Sequence, residues 1–179
     1  MLRRRDFLKL SLGLTAVGCQ RPTAKNTKPL RFAVASDGHY GQPKTEFRMF
    51  HENIIKNLKK EHAERRLDFV VFNGDLFHDD VKFLPEVKLV FESLGLPYYV
   101  TRGNHDHVTP QQWQQTWGYG LNHAVEIGKN AIILGDTSNE KGEYLCPDIP
   151  WIDRQLAGFT KKENVFLFLH IPSKMWSEH

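Results

Sequence analysis

Four short polar blocks stand in order along this chain, and each closes an apolar run. Asp37-Gly38-His39 follows Phe32–Ala35, Gly74-Asp75 follows Phe69–Phe72, Gly103-Asn104-His105-Asp106 follows Tyr98–Val100, and His170 ends Val165–Leu169. Runs of β-branched and aromatic residues of this length read as strands. Ligands of open α/β sheets bind beyond the carboxyl ends of the strands. A fold that lays these runs side by side therefore brings the polar blocks to one edge.

Between the runs lie helical patterns. Thr45 to Arg66 places Phe47, Phe50, Ile54, Ile55 and Leu58 three or four apart, with lysines and glutamates opposite. On this charged helix His51 and His62 read as surface residues. Leu84–Leu94 reads as a second helix, with Pro85 in its first turn and Gly95 as its cap. Pro110–Trp117 and Trp151–Leu156 read as short helices, and Leu30–Ala35, Leu67–Phe72 and Pro97–Thr101 as strands. Ala124–Ile127 and Ala131–Leu134, split by Gly128-Lys129-Asn130, predict an antiparallel hairpin. Strand–helix alternation followed by a hairpin predicts an α/β (α+β) layered domain. The unbroken apolar runs Phe69–Phe72 and Val165–Leu169 predict sheets buried on both faces. Trp113, Trp117 and Tyr119 read as packing residues.

The 179 residues suffice for one domain with a usable core. Much of the basic excess sits at the start: residues 1–19 carry Arg3, Arg4, Arg5 and Lys9 against Asp6. The remainder is balanced between acid and base, so no nucleic-acid footprint is expected. A charged start followed by the short apolar stretch Leu10–Gly18 reads as an export signal, too short to span a bilayer. Arg4-Arg5-Asp6-Phe7-Leu8-Lys9 is similar to a twin-arginine export motif, with Arg3 where Ser or Thr is usual. Ala16-Val17-Gly18-Cys19 resembles a lipoprotein box, with Ala16 in place of Leu. The expected organisation is a signal over 1–19, a flexible tether over 20–29 and a domain over 30–179. The expected partners are the twin-arginine export machinery and the membrane, through an acyl chain on Cys19. That implies a periplasmic or cell-envelope location. Cys146, alone in the body, has no disulfide partner there and reads as a small buried or loop residue.

The ordered blocks resemble the calcineurin-like metallophosphoesterase family. Leu134-Gly135-Asp136-Thr137, Trp151-Ile152-Asp153-Arg154-Gln155-Leu156 and Leu169-His170-Ile171-Pro172 extend the likeness over about residues 30–176. The resemblance implies a four-layer sandwich of two mixed sheets flanked by helices, with metals at one edge. It implies a phosphate-ester substrate and two divalent ions, with Mn, Fe, Zn, Ni and Co all suited to the donors. Asp37 and His39 would hold the first ion, Asp75 would bridge, and Asn104 and His170 would hold the second. His105 would face the phosphate and protonate the leaving oxygen, with Asp106 orienting it. Gly74 and Gly103 would let the backbone turn where the ligands project. The chemistry agrees with this assignment. Two adjacent carboxylates repel without a cation. Two ions about 4 Å apart lower the pKa of a shared water towards ~7 and clamp the phosphoryl oxygens.

Arg102, His107 and His78 flank the blocks as candidate substrate contacts, while Asp79 and Asp80 read as a solvated loop. The family's final Gly-His-x-His is not found before His179, so the domain is expected to be incomplete at its C-terminal end, lacking its last strands. The leading expectation is hydrolysis of a phosphomonoester or phosphodiester by an exported, anchored protein. One alternative is a truncated or degenerate non-catalytic metal-binding domain. A third is a nuclease, since Gly74-Asp75-Leu76-Phe77-His78 is similar to a block of the recombination nucleases in this superfamily.

Overall fold

The computed structural model describes residues 28–175. The leader, Cys19, most of the tether and His179 lie outside them. The element order is β1 (Phe32–Ala35), α1 (Phe47–Glu64), β2 (Phe69–Asn73), α2 (Leu84–Glu92), β3 (Tyr98–Thr101), α3 (Pro110–Trp117), β4 (His123–Ile127), β5 (Asn130–Gly135), α4 (Ile149–Gly158) and β6 (Asn164–Leu169). Single 3₁₀ turns precede α2 and follow β6.

Each helix end has a local cause. Thr109 caps α3 through a capping box with Gln112, Pro110 sits in the first turn, and Gly118 closes the helix at φ 82°. Asp148 accepts from the Trp151 amide at 2.9 Å and starts α4. The Leu67 amide donates to His62 Nδ1 just past the end of α1.

β1, β2 and β3 form a parallel sheet with β2 in the middle, in the register Phe32–Phe69 and Val70–Tyr98. β4 and β5 form the predicted antiparallel hairpin, and β6 pairs parallel to β5. β2 supplies both halves of the core because its side chains alternate. Val70 and Phe72 face the helices, where Phe72 stacks on Phe91 of α2 among Val87, Ile55 and Trp113. Phe69 and Val71 face the second sheet and meet Ile132 and Leu134, with Phe32, Phe166 and Phe168 packed around them. α4 lies against β5 and buries Ile152. The layers are thus helix, sheet, sheet, helix, as expected.

Three expectations change. β2 is buried on both faces, but β6 is not: Phe166 and Phe168 turn to the inter-sheet core while Leu167 is 45% exposed. Among the described residues α4 packs on the neighbouring β5, and the outer face of β6 at Leu167 stays open. On α1 the buried face runs through His51 and Ile55, with Phe47 and Leu58 packed beside them, which leaves Phe50 half exposed. His51 is therefore a core residue, its Nδ1–H donating to the Phe47 carbonyl at 2.8 Å. Its position four residues from both Phe47 and Ile55 was the available signal. Cys146 lies exposed in the loop before α4.

The two sheets are pinned together at the carboxyl ends of their strands. Asn73 Nδ2 donates to the Leu169 carbonyl at 3.2 Å, and Ser138 Oγ donates to the Gly103 carbonyl at 3.1 Å. Arg102, after β3, reaches Asp136, after β5, through two bonds of 3.1 and 2.6 Å. It also donates to the carbonyls of Val108 and Ser138. Breaking such a buried pair from one side strands the other charge. Arg102→Met should lower the unfolding free energy in urea titration by about 3–5 kcal/mol.

Candidate metal centre

The loops after β1 and β2 run side by side. The Asp37 amide donates to the Gly74 carbonyl at 3.1 Å, His39 to Asp75 at 2.9 Å and Tyr40 to Leu76 at 3.1 Å. Asp37, His39, Asp75 and Asp79 all adopt positive φ, between 44° and 59°. Non-glycine residues in that region are uncommon and concentrate at functional sites. The paired loop backbones hold them there.

Asp75 is the centre of the arrangement. It is buried, and its Oδ1 accepts from the His105 amide at 2.9 Å. Oδ2 lies 3.5 Å from His39 Nε2, and Oδ1 lies 3.4 Å from His170 Nε2. Each carboxylate oxygen thus faces a different imidazole. His170 Nδ1–H donates to the Asn73 carbonyl at 2.8 Å, which orients the ring so that Nε2 faces Asp75. Burial opposes charge on Asp75, but His170, the His105 amide and His39 outweigh it and hold the carboxyl below its usual range. Burial likewise opposes charge on His170, and Asp75 and the Asn73 carbonyl turn the net shift upward. Donor atoms of Asp37, Asp75 and His170 lie within 4.8 Å of one another. Among the described residues, the ion-pair partners of Asp75 are histidines rather than lysine or arginine. A buried carboxylate flanked by imidazole nitrogens fits a divalent transition metal. Asn104, His105 and Tyr144 line the same open cleft with Asp37, His39, Asp75 and His170. Tyr144 carried no signal in the sequence, because it arrives from the loop between β5 and α4.

Asp106 does not orient His105. It is fully buried, and its carboxylate accepts from the amides of Phe77 at 3.0 Å and Gly103 at 2.8 Å. Burial pushes its carboxyl up to about 7 against the amides of Phe77, Gly103 and Leu76. Its role in the structure is to tie the loop after β2 to the loop after β3. The partner of His105 is Asp79, whose Oδ1 accepts from His105 Nδ1 at 2.6 Å. Burial disfavours the charge on Asp79, yet the His105 bond and the fields of His78, His105 and His107 lower its pKa. Asp79 also lies 3.5 Å from His78 Nε2 and 3.9 Å from His107 Nε2. Sequence reasoning passed over Asp79 as loop. The Asp79 amide donates to the His105 carbonyl at 3.0 Å, a pairing that local pattern does not encode.

His78 stands beside the candidate ligand His39, their Nδ1 atoms 3.2 Å apart. Arg102 is only 3% exposed, and its guanidinium is turned into the protein towards Asp136, Val108 and Ser138. It stands among the inter-sheet contacts rather than at the cleft. Gly103 allows the closest backbone approach in the site: a Cβ there would lie 2.1 Å from the Asp75 nitrogen and 2.2 Å from its Oδ1.

A two-sheet sandwich with carboxylates and imidazoles gathered at one strand edge defines a class of metal-binding phosphoester enzymes. The profile described as calcineurin-like phosphoesterase matches residues 30–178, and the chain belongs to that family. A protein described as a probable glycerophosphodiester phosphodiesterase, from Arcobacter nitrofigilis, is 29% identical over 137 residues. The match covers 70% of this chain and 48% of the relative, so the chain spans about half the length of the curated relative it matches. The crystal structure of a dimetal phosphatase from Danio rerio shares the fold with a TM-score of 0.61 at 13% identity, covering 81% of this chain and 71% of that one.

Two glycine substitutions should behave oppositely. Gly103→Ala drives a methyl into Asp75 and should cost about 1–3 kcal/mol by urea denaturation. Gly158→Ala, at the end of α4 with nothing near its Cβ position, should be neutral or stabilise by up to ~1 kcal/mol.

Proposed function

We propose that this chain carries the two-metal site of a phosphoric ester hydrolase. The observation that carries the reading is Asp75, with one carboxylate oxygen set towards His39 and the other towards His170. Asp37, His39 and Asp75 would hold one divalent ion, and Asp75, Asn104 and His170 the other. Mn, Fe, Zn, Ni and Co all suit this donor set. When bound, such a pair supplies an activated water at neutral pH and neutralises the phosphoryl oxygens.

The chain's own groups do the rest. His105 donates Nδ1–H to Asp79, so a second proton carried on Nε2 is the one that reaches the leaving oxygen. Asp106 and the backbone pairs between loops fix the ligands without touching substrate. A phosphodiester is favoured over a monoester by the described activity of the Arcobacter nitrofigilis relative. The sequence motifs at Arg4-Arg5 and Cys19 support export by the twin-arginine route and anchoring in the cell envelope.

The test is metal content together with hydrolysis of bis(p-nitrophenyl) phosphate and p-nitrophenyl phosphate. Two bound equivalents and loss of turnover with EDTA are expected. Asp75→Asn should abolish turnover, and His105→Ala should lower it by about 10²–10⁴-fold. Turnover that survives chelation, or that is indifferent to both substitutions, would reject the proposal. Steeply salt-dependent DNA cleavage would move the substrate to nucleic acid.

A further inference from the structure

A metal-binding histidine usually has its second ring nitrogen fixed by a hydrogen-bond partner, and that partner sets the tautomer. His170 follows this rule through the Asn73 carbonyl. Among the described residues, no carbonyl or carboxylate takes that place for His39. Its Nε2 faces Asp75 at 3.5 Å, and its Nδ1 faces Nδ1 of His78 at 3.2 Å. The two rings meet edge to face, with centroids 5.2 Å apart.

We propose that His78 is the positioning residue of the first metal site, acting as the acceptor that orients His39. The inference rests on the two-metal reading above. If His39 gives its Nε2 lone pair to a cation, its proton sits on Nδ1 and is donated to His78 Nδ1. His78 then carries its proton on Nε2, which lies 3.5 Å from Asp79 Oδ2. Asp79 uses its other oxygen to hold His105 Nδ1 at 2.6 Å. Asp75, His39, His78, Asp79 and His105 thus form one unbroken series of carboxylate and imidazole contacts. The series fixes every ring tautomer from the metal ligand to the proton donor.

The backbone supports this placement. The His78 amide donates to the Tyr40 carbonyl at 3.0 Å, one residue beyond His39. Tyr40 and Phe77 form a parallel bridge across the same two loops. His78 is thereby registered against His39 by main chain as well as by ring contact. Its ring also stacks beside His105, with centroids 5.1 Å apart, so its position is set from both sides.

The experiment titrates the metal-free chain with Co²⁺ and follows visible absorption, which reports each site's ligand geometry. His78→Leu removes the acceptor, and His78→Asn keeps an oxygen that can take the His39 proton. The leucine variant should weaken one of two equivalents by about 10–100-fold and change its spectrum. The second equivalent should stay unchanged, and the asparagine variant should restore most of the loss. Ring-nitrogen NMR of the Zn²⁺-loaded wild-type chain provides a check that needs no variant: His78 should be protonated at Nε2 and bare at Nδ1. Two equivalents bound by the leucine variant with wild-type affinity overturn the role of His78 and leave the two-metal reading standing. Loss of a whole equivalent in both variants also overturns it, in favour of His78 as a direct ligand. A wild-type chain that binds no Co²⁺ overturns both readings.

Discussion

A carboxylate buried at the end of the central strand is the constraint around which this protein is arranged. Burying a charge is costly unless it is paired and hydrogen-bonded. Asp75 meets that demand with one backbone amide and two imidazole nitrogens that reach it from separate loops. The site depends on every one of these approaches. β2 must be central so that loops from both sheets can reach its end. Residue 103 must lack a side chain so that the backbone after β3 can lie against Asp75. His170 must come across from the second sheet, and its bond to the Asn73 carbonyl brings it there.

The rest of the edge holds these approaches still. Arg102 with Asp136, and Ser138 with Gly103, join the ends of β3 and β5. Asp106 joins the loops after β2 and β3 through two amides. Arg102 and Asp106 read as site residues because they lie next to the candidate ligands in sequence, yet their side chains turn away from the cleft. Their function is positional. Displacements of about 1 Å at a reacting centre can cost roughly 10²-fold in rate, so such scaffolding bears directly on chemistry. The positive φ values at Asp37, His39, Asp75 and Asp79 place unfavourable backbone conformations at the functional residues, and the neighbouring loop hydrogen bonds compensate them.

Asp79 changes the view of the family pattern in this chain. It collects His105 directly and His78 and His107 at longer range, and it links His105 to the loop that carries Asp75. Its pairing with His105, whose backbone it also contacts, ties the loop after β2 to the loop after β3. Family membership accounts for the ordered polar blocks. The imidazole–carboxylate series around Asp79 is a feature of the residues between them.

The amino-acid sequence by itself determined the elements and the polar blocks that gather at the strand ends. Unbroken β-branched and aromatic runs such as Phe69–Phe72 declare a strand, the period of Phe47, Ile55 and Leu58 declares a helix, and Pro85 declares where α2 begins. These signals are local, set by side-chain spacing of 2 or 3.6 residues and by capping chemistry. Tertiary structure alone decided which polar residue meets which. Asp79 and not Asp106 holds His105, Arg102 serves the core, His51 is buried, and Leu167 lies on an open face. Each outcome depends on contacts between segments tens of residues apart, or on whether another layer covers a strand. The spacing along one segment carries no record of either.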